Sequence, residues 1–147
     1  MTNITVNRGK DVAVALIESK DHKDHFLVQY RSVNNNAYPG YLEFPGGKNE
    51  QGETLEDTLH REILEETGVE IWGPIKLVEM DYVFPSGFSH RVHFYLVQDY
   101  DGIPEGSEGQ RIGWLSLWQL MTYPKMMPLN RAAALILTTE RNPDILE

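Results

Sequence analysis

The stretch that decides the fold is residues 47–69, GKNEQGETLEDTLHREILEETGV. With x for any residue, its spacing is G-x5-E-x7-R-E-(aliphatic)-x-E-E-x-G-(aliphatic). The positions of this template are filled by Gly47, Glu53, Arg61, Glu62, Ile63, Glu65, Glu66, Gly68 and Val69. We expect a helix from Thr54, whose hydroxyl can cap the free amides, to about Thr67, because Gly68 suits a left-handed C-terminal cap.

Three glutamates of this helix are expected to border its buried face. At about 100° per residue, Glu62, Glu65 and Glu66 share an arc that overlaps the apolar stripe, whereas a solvated face would lie opposite it. The stripe consists of Leu55, Leu59 and Ile63. Arg61 can offset only one of the charges, so divalent cations are the expected remainder. Leu64 falls on the far side and predicts that the helix is covered on a second face as well.

The candidate metal ligands are oxygen atoms, because the chain contains no cysteine. Oxygen ligands favour hard cations, so Mg²⁺ is expected first and Mn²⁺ as its substitute. The preceding glycine pair, Gly46 and Gly47, lets the backbone approach a ligand and can expose a carbonyl to a metal. Lys48 can meet a phosphate as a point charge.

Length and composition predict a single domain over residues 1–147 with a core of its own. The formal net charge of -9 disfavours a nucleic-acid polymer as partner, since phosphate backbones would be repelled. No run of 18 apolar residues is present, so no membrane span is expected. The absence of cysteine and of a signal-peptide pattern at the N-terminus fits a cytoplasmic protein.

The rest of the chain alternates predicted strands and helices. Residues 11–18 and 26–31 are expected to form a hairpin, and polar loops are expected at residues 32–40 and 99–109. Further strands are predicted at residues 41–44, 75–84, 90–98 and 111–115, and further helices at residues 116–121 and 130–141. The Pro45-Gly46-Gly47 sequence is expected to end the strand at residues 41–44. This order predicts an α/β fold, an α/β/α sandwich with a mixed central sheet.

The template in residues 47–69 resembles the Nudix box, and the sequence is similar to the Nudix hydrolase family. The resemblance implies hydrolysis of a nucleoside diphosphate linked to another group, with two or three Mg²⁺ ions. The implied metal ligands are the Gly46 carbonyl and the carboxylates of Glu62, Glu65 and Glu66. Arg61 would orient the glutamates and Glu53 would support the site. The general base would be Glu62, Glu66 or a glutamate outside the box.

Segments outside the box resemble the MutT-type branch, which removes 8-oxo-dGTP. They are the YLEFPGGK segment at residues 41–48, Phe84-Pro85, His90-Arg91, Glu108-Gly109-Gln110 and Pro128-Leu129-Asn130. By this resemblance Asn130 would read the purine edge, and Glu108 would be an additional carboxylate at the metals. Further substrate contacts would come from Arg31, Phe44, Lys48 and Arg91. The expected partner is a small-molecule nucleotide, bound by a monomer or homodimer.

Alternatives remain open at this stage. Asn130 can instead cap the helix that follows it. The substrate can be another diphosphate, such as ADP-ribose, a nucleotide sugar or a dinucleoside polyphosphate. A non-catalytic nucleotide-binding module is a third reading, although it fits poorly with a complete set of box carboxylates.

Overall fold

The computed structural model describes residues 8–146, and none of the helices in that range is long and apolar enough to cross a membrane. The strands are β1 Arg8–Ile17, β2 His25–Tyr30, β3 Leu42–Glu43, β4 Gly46–Lys48, β5 Glu70–Trp72, β6 Ile75–Val83, β7 Ser89–Val97, β8 Asp99–Asp101 and β9 Ile112–Ser116. The α-helices are α1 Leu55–Thr67, α2 Leu117–Thr122 and α3 Pro128–Arg141, and a 3-10 turn follows at Pro143–Leu146.

The main sheet has the strand order β4-β1-β7-β6. Strand β1 runs parallel to β7, whereas the other two pairings are antiparallel, so the sheet is mixed as predicted. Alternate side chains of β1 point to opposite faces. Val14 and Leu16 pack in one core cluster with residues of α3, while Ala15 and Ile17 pack in a second with Leu59 of α1. Helices therefore cover both faces, and the predicted α/β/α sandwich is confirmed.

The predicted hairpin between the first two strands is wrong. Outside a single bridge between Glu18 and Phe26, β2 pairs with β3 and β9 in a separate sheet. The reason is that both edges of β1 are already occupied, one by β4 and the other by β7. The chain therefore splays apart after the bridge, and β2 contributes its side chains from a different sheet.

Two short strands arise where the sequence predicted turns or loops. The glycine pair does not only end a strand: Gly46–Lys48 forms β4 against β1. A Cβ on Gly46 would lie 2.3 Å from the carbonyl oxygen of Ala13, so this close pairing requires glycine. Within the predicted loop at residues 99–109, β8 pairs with β5. Such pairings depend on contacts between distant residues, which local patterns do not record.

Helix α1 matches its prediction closely. Thr54 accepts a hydrogen bond from the N–H of Asp57, whose carboxylate in turn accepts from the N–H of Thr54, and Gly68 has φ of 74°. The expected second cover over Leu64 is wrong, because this side chain remains 47% exposed. Leu64 lines a surface cavity together with His60 and the half-exposed Trp72.

Candidate active site

Arg61 is the hub of a carboxylate cluster on α1. Its Nε donates to Glu53 Oε2 at 2.7 Å, and its Nη2 donates to Glu53 Oε1 at 3.0 Å. Nη1 donates to Glu62 at 2.9 Å and lies 3.4 Å from Glu65 and 3.7 Å from Glu50. The bond from Arg61 lowers the pKa of Glu53 to about 2, so that carboxylate is held charged. One cation thus faces four carboxylates.

Glu62 occupies space that glycine leaves open. A Cβ on Gly47 would lie 2.2 Å from the carboxyl carbon of Glu62, so β4 has room for this side chain only without one of its own. Burial raises the pKa of Glu62 despite the hydrogen bond from Arg61, and the neighbouring charges of Glu65 and Glu108 raise it further. The carboxylate is therefore incompletely compensated.

Glu66 is the most deeply buried carboxylate of the cluster. Burial raises its pKa to about 8, although it accepts hydrogen bonds from Gln29 Nε2 at 3.2 Å and from the Gly46 N–H at 2.9 Å. Gln110 bridges the carbonyl of Glu66 and the side chain of Gln29. No cation contacts Glu66 within residues 8–146, so the hydrogen bonds orient a carboxylate whose charge lacks a partner. The strongly shifted pKa of a partly buried acid is typical of functional sites.

Two further carboxylates border Glu62 and Glu66 at the surface. Glu65 is exposed and lies at the edge of the Arg61 cluster. Glu108, on the loop before β9, is also exposed and close enough to Glu62 to raise its pKa. The arrangement brings Glu62, Glu65, Glu66 and Glu108 to one side of α1.

The donor chemistry of this cluster fits a divalent cation. Every candidate side-chain ligand is a carboxylate, and burial leaves the charges of Glu62 and Glu66 uncompensated. Within the described part of the chain, three or more His, Asp or Glu side chains do not yet converge on a ready-made metal position. An ion bound here would require these carboxylates to move closer together.

A cavity of about 210 Å³ lies on the other side of the main sheet, next to α3. Asn130 lines it, is 9% exposed, and accepts a hydrogen bond from the N–H of Phe44 at 2.8 Å. The alternative role of Asn130 as a helix cap is wrong, since the cap position of α3 belongs to Met127. Asn130 instead lies within the first turn and points its amide toward the cavity lining.

Phe44 does not line this cavity with its ring. The side chain is 3% exposed and belongs to the core cluster under α3, so the substrate contact expected of Phe44 stays a prediction that its buried ring does not favour. Its backbone fixes Asn130. Two and three residues later, Gly46 and Gly47 adjoin Glu66 and Glu62. The extended segment from Phe44 to Gly47 spans about 10 Å. β3 and β4 therefore connect the cavity with the carboxylates over a distance comparable to the length of one nucleotide.

Arg31 lies between this cavity and a second one of about 480 Å³. Its guanidinium donates to Glu43 at 2.9 Å and to the carbonyl of Ala37 at 2.9 Å and 3.1 Å. The second cavity is bounded by the loop at residues 32–40 and by Glu108. Arg31 is thus positioned by the polar loop at residues 32–40.

Arg91 is not brought to either cavity. Side chains alternate along β7, and His90 and Val92 line the smaller cavity. Arg91 points to the opposite face, where it pairs with Asp81 at 3.0 Å. The substrate contact expected of Arg91 therefore stays a prediction without support from these cavities, and His90 takes the position on the cavity side.

Lys48 is exposed on β4 and lies near enough to His90 for its charge to help lower the pKa of the imidazole, after burial. Its carbonyl accepts from Arg61 at 3.1 Å. Lys48 thus lies between the His90 side of the cavity and the Arg61 cluster.

Several residues of the site were not predicted from the sequence. Gln29 and Gln110 orient Glu66, and Tyr38 and Tyr82 line the smaller cavity. The alternation of Tyr82 with Phe84 at a strand end was a usable signal, because both then face the same side. Gln29 carried no such signal, since its partner is 37 positions away.

Comparison with known proteins agrees with this geometry. The NUDIX domain family matches residues 8–136. An 8-oxo-dGTP diphosphatase of Escherichia coli K12 is 42% identical over 106 residues, covering 72% of this chain and 79% of that protein. An RNA pyrophosphohydrolase of Sulfurovum sp. NBC37-1 is 33% identical, with 78% and 83% covered.

A solved MutT structure from work on Aliivibrio salmonicida and Vibrio cholerae has a TM-score of 0.71 at 27% identity. The similarity covers 90% of this chain and 99% of that one. The match in fold, the match over most of the chain and the box carboxylates on α1 agree with one another. The chain belongs to the Nudix family of hydrolases.

Proposed function

We propose that the chain hydrolyses a nucleoside triphosphate to the monophosphate and pyrophosphate, with an oxidised purine nucleotide such as 8-oxo-dGTP as the substrate to test first. The observation that carries the proposal is the pairing of a base-sized cavity with uncompensated carboxylates across the segment at residues 43–47. The activity of the Escherichia coli relative supports it. In this role the protein would act in the cytoplasm, as a monomer or homodimer.

Mg²⁺ is the proposed cofactor, with Mn²⁺ as its substitute. Nudix hydrolases generally need divalent cations, and this chain offers them oxygen ligands. The proposed ligands are the Gly46 carbonyl and the carboxylates of Glu62, Glu65, Glu66 and Glu108. When bound, such ions neutralise the diphosphate and lower the pKa of a water molecule. The exposed carboxylates of Glu65 and Glu108 have the freedom to turn toward an ion.

The residues around the proposed metal site have separate roles. Glu53 holds Arg61, and Arg61 in turn holds Glu62 in the space above Gly47. The general base is Glu62 or Glu66, and burial raises the pKa of both carboxylates, to about 8 for Glu66. Gln29 and the Gly46 N–H keep Glu66 in place. Arg31 and Lys48 are positioned to offset phosphate charge.

The base of the substrate is proposed to lie in the smaller cavity. Its walls include Val12, Val14, Met127 and Leu129, which suit a flat ring, and Asn130 supplies a polar contact. A small nucleotide is preferred to an RNA chain because the net charge of -9 disfavours extended phosphate contacts. The RNA-directed relative nevertheless makes 5′-triphosphorylated RNA a necessary comparison.

A substrate panel with Mg²⁺ tests this proposal. The panel contains dGTP, 8-oxo-dGTP, ADP-ribose, a dinucleoside polyphosphate and 5′-triphosphorylated RNA, with product identification for each. We expect monophosphate and pyrophosphate from the purine triphosphates at the highest kcat/KM. Higher kcat/KM for ADP-ribose or for RNA would replace the proposed substrate. Nucleotide binding without turnover at saturating Mg²⁺ and Mn²⁺ would identify a non-catalytic module.

A further inference from the structure

Arg111, directly before β9, differs from the other arginines in its contacts. Its guanidinium lies over the ring of Tyr30, with Cζ 4.9 Å from the ring centroid. Among residues 8–146 the guanidinium has neither a carboxylate partner nor a hydrogen-bond acceptor. The arginines that do have such partners are Arg31, Arg61, Arg91, Arg131 and Arg141. Arg111 therefore keeps its charge and its N–H donors for a ligand.

The position of Arg111 is set by strand pairing and by the ring beneath it. The N–H of Tyr30 donates to the carbonyl of Arg111 at 3.0 Å, and the next pair along the two strands is Gln29 with Ile112. Tyr30 packs against the core cluster under α3. A planar guanidinium that already rests on an aromatic ring loses little freedom when it binds an anion.

Arg111 lines the second cavity, of about 480 Å³. The other charged residues of this lining are Arg31 and Glu108, and Ser32 adds a hydroxyl group. Glu43 offsets the charge of Arg31, and a metal ion would offset that of Glu108. The charge of Arg111 then remains unopposed in a chain whose net charge is -9, so the cavity favours an anionic ligand.

Hydrogen bonds connect this cavity to the buried carboxylate of the site. Gln110, beside Arg111, donates to the carbonyl of Glu66 at 2.8 Å and to the side chain of Gln29 at 3.1 Å. Its own side-chain oxygen accepts the N–H of Glu108 at 2.9 Å. The loop that carries Glu108 and Arg111 is thus anchored to α1, and the unpaired cation lies next to the proposed metal site.

We propose that Arg111 binds the terminal phosphate of a triphosphate and makes the protein prefer nucleoside triphosphates to nucleoside diphosphates. Arg31 lies between the two cavities. A phosphate chain that begins at the smaller cavity and passes Arg31 and Glu108 therefore ends in the second cavity. The guanidinium fork can donate two parallel hydrogen bonds to phosphate oxygens. The inference rests on the proposed function, because it assumes that the base lies in the smaller cavity.

A second nucleoside fits the second cavity less well than a phosphate. Among the described residues of its lining, only Tyr30 is aromatic, and Arg111 lies over that ring. A second base would have to displace the guanidinium in order to stack, which would leave the cation without its support. A terminal phosphate instead meets the N–H edge of the guanidinium while the stacking persists.

The α,β-methylene analogues of dGDP and dGTP test the inference without depending on turnover. A methylene group replaces the oxygen between the α and β phosphorus atoms, which is the bridge that release of monophosphate would break. Calorimetric dissociation constants are measured with Mg²⁺ for the wild type and Arg111→Gln. We expect the wild type to bind the triphosphate analogue about tenfold or more tightly than the diphosphate, and Arg111→Gln to reduce this ratio to about threefold or less.

Two further variants separate the guanidinium from charge alone. Arg111→Lys keeps the charge but loses the planar fork, so its ratio should lie between those of the wild type and Arg111→Gln. Lys23→Gln removes one positive charge from an exposed turn and should leave the ratio unchanged. The affinity for dGMP should be equal in all four proteins, because its single phosphate does not reach Arg111. Thermal unfolding establishes that each variant is folded.

The outcomes separate this inference from the proposed function. Equal affinity of the wild type for the two analogues would overturn the inference, as would an undiminished ratio in folded Arg111→Gln. An equal loss of affinity for dGMP and for the triphosphate analogue in Arg111→Gln would also overturn it. A triphosphate preference that depends on Arg111, without hydrolysis of any nucleoside triphosphate, would overturn the proposed function and leave the phosphate site standing.

Discussion

Two clusters in this molecule pair an arginine with carboxylates, and they differ in how far the carboxylate charges are balanced. Arg141, near the end of α3, donates to Glu18 at 2.7 Å and 2.8 Å with two nitrogens and also contacts Asp24. Arg61, on α1, faces four carboxylates, and Glu66 beyond them contacts no cation among residues 8–146. The first cluster is nearly balanced in charge, whereas the second carries a large negative surplus.

The pKa values record this difference. Burial by itself would raise the pKa of Glu18, but hydrogen bonds from Arg141, the Asp24 N–H and Gln98 outweigh it and lower the pKa to about 2. For Glu66, burial prevails and the pKa rises to about 8. A buried carboxylate with a full set of partners stabilises the fold, whereas one without a cation is prepared to bind one or to accept a proton.

The largest expected effect comes from Glu66→Gln. We expect kcat/KM for the best nucleoside triphosphate to fall by about 10²–10⁴-fold, because the variant loses a metal ligand or general base. The free energy of unfolding should stay level or rise, since a buried, uncompensated charge is removed. Steady-state kinetics and urea unfolding measure the two quantities. The exposed Glu70→Gln serves as control, and unchanged activity in Glu66→Gln would refute its assignment to the site.

Glu18→Gln should show the reverse pattern. The variant leaves Arg141 partly buried with a weaker partner, so we expect the free energy of unfolding to fall by about 2 kcal/mol. The kcat/KM per folded molecule should not change. Urea unfolding measures the loss, and Glu140→Gln, an exposed substitution on the same helix as Arg141, should stay within about 0.5 kcal/mol of the wild type. A loss of activity in folded Glu18→Gln would show that the two clusters are coupled.

The adjacent glycines of β4 have different roles, Gly47 in the site and Gly46 in the fold. A Cβ on Gly47 meets the mobile end of Glu62, so Gly47→Ala should lower kcat/KM about tenfold and change the free energy of unfolding by less than about 1 kcal/mol. A Cβ on Gly46 meets the backbone of Ala13 and Val14. Gly46→Ala should therefore destabilise the fold by about 1–3 kcal/mol. Equal unfolding midpoints for the two variants would contradict this division.

The smallest expected effect is a change in the unfolding free energy as the pH falls. The folded pKa of Glu18, about 2, lies below its usual value of 4.5, so its contribution is present above about pH 4.5 and is lost as the pH falls toward 2. The difference in unfolding free energy between the wild type and Glu18→Gln should therefore shrink across this window. Urea titrations at several pH values measure it. A constant difference down to about pH 2 would rule out the charged form of Glu18 as its source.

The sequence predicted the features that depend on local chemistry. The capping box of Thr54 and Asp57, the left-handed Gly68 and the apolar stripe of α1 all lie within one segment, and all are confirmed. Their spacing also placed Glu62 and Glu66 beside buried positions. Local hydrogen bonds and helical period act over a few residues, so a sequence pattern can record them directly.

Features that depend on contacts between distant residues could not be predicted from the sequence pattern. The pairing of β1 with β7 joins residues about eighty positions apart and prevented the predicted hairpin. The position of Arg91 depended on the register of β7, which sets the alternation of its side chains. Nδ1 of His90 accepts a hydrogen bond from the N–H of Lys10, 80 positions earlier. In each case the partner is chosen by the tertiary fold, so the residue type carried no local signal.

Direct measurement of metal binding tests the central claim, that the surplus carboxylates of the Arg61 cluster bind divalent cations and the balanced Arg141 cluster does not. Calorimetric titration with Mn²⁺ and with Mg²⁺ is carried out on the wild type, Glu18→Gln and the double variant Glu62→Gln/Glu66→Gln. We expect equal affinities for the wild type and Glu18→Gln, and a loss of at least tenfold in the double variant. Undiminished affinity in the folded double variant would contradict the account.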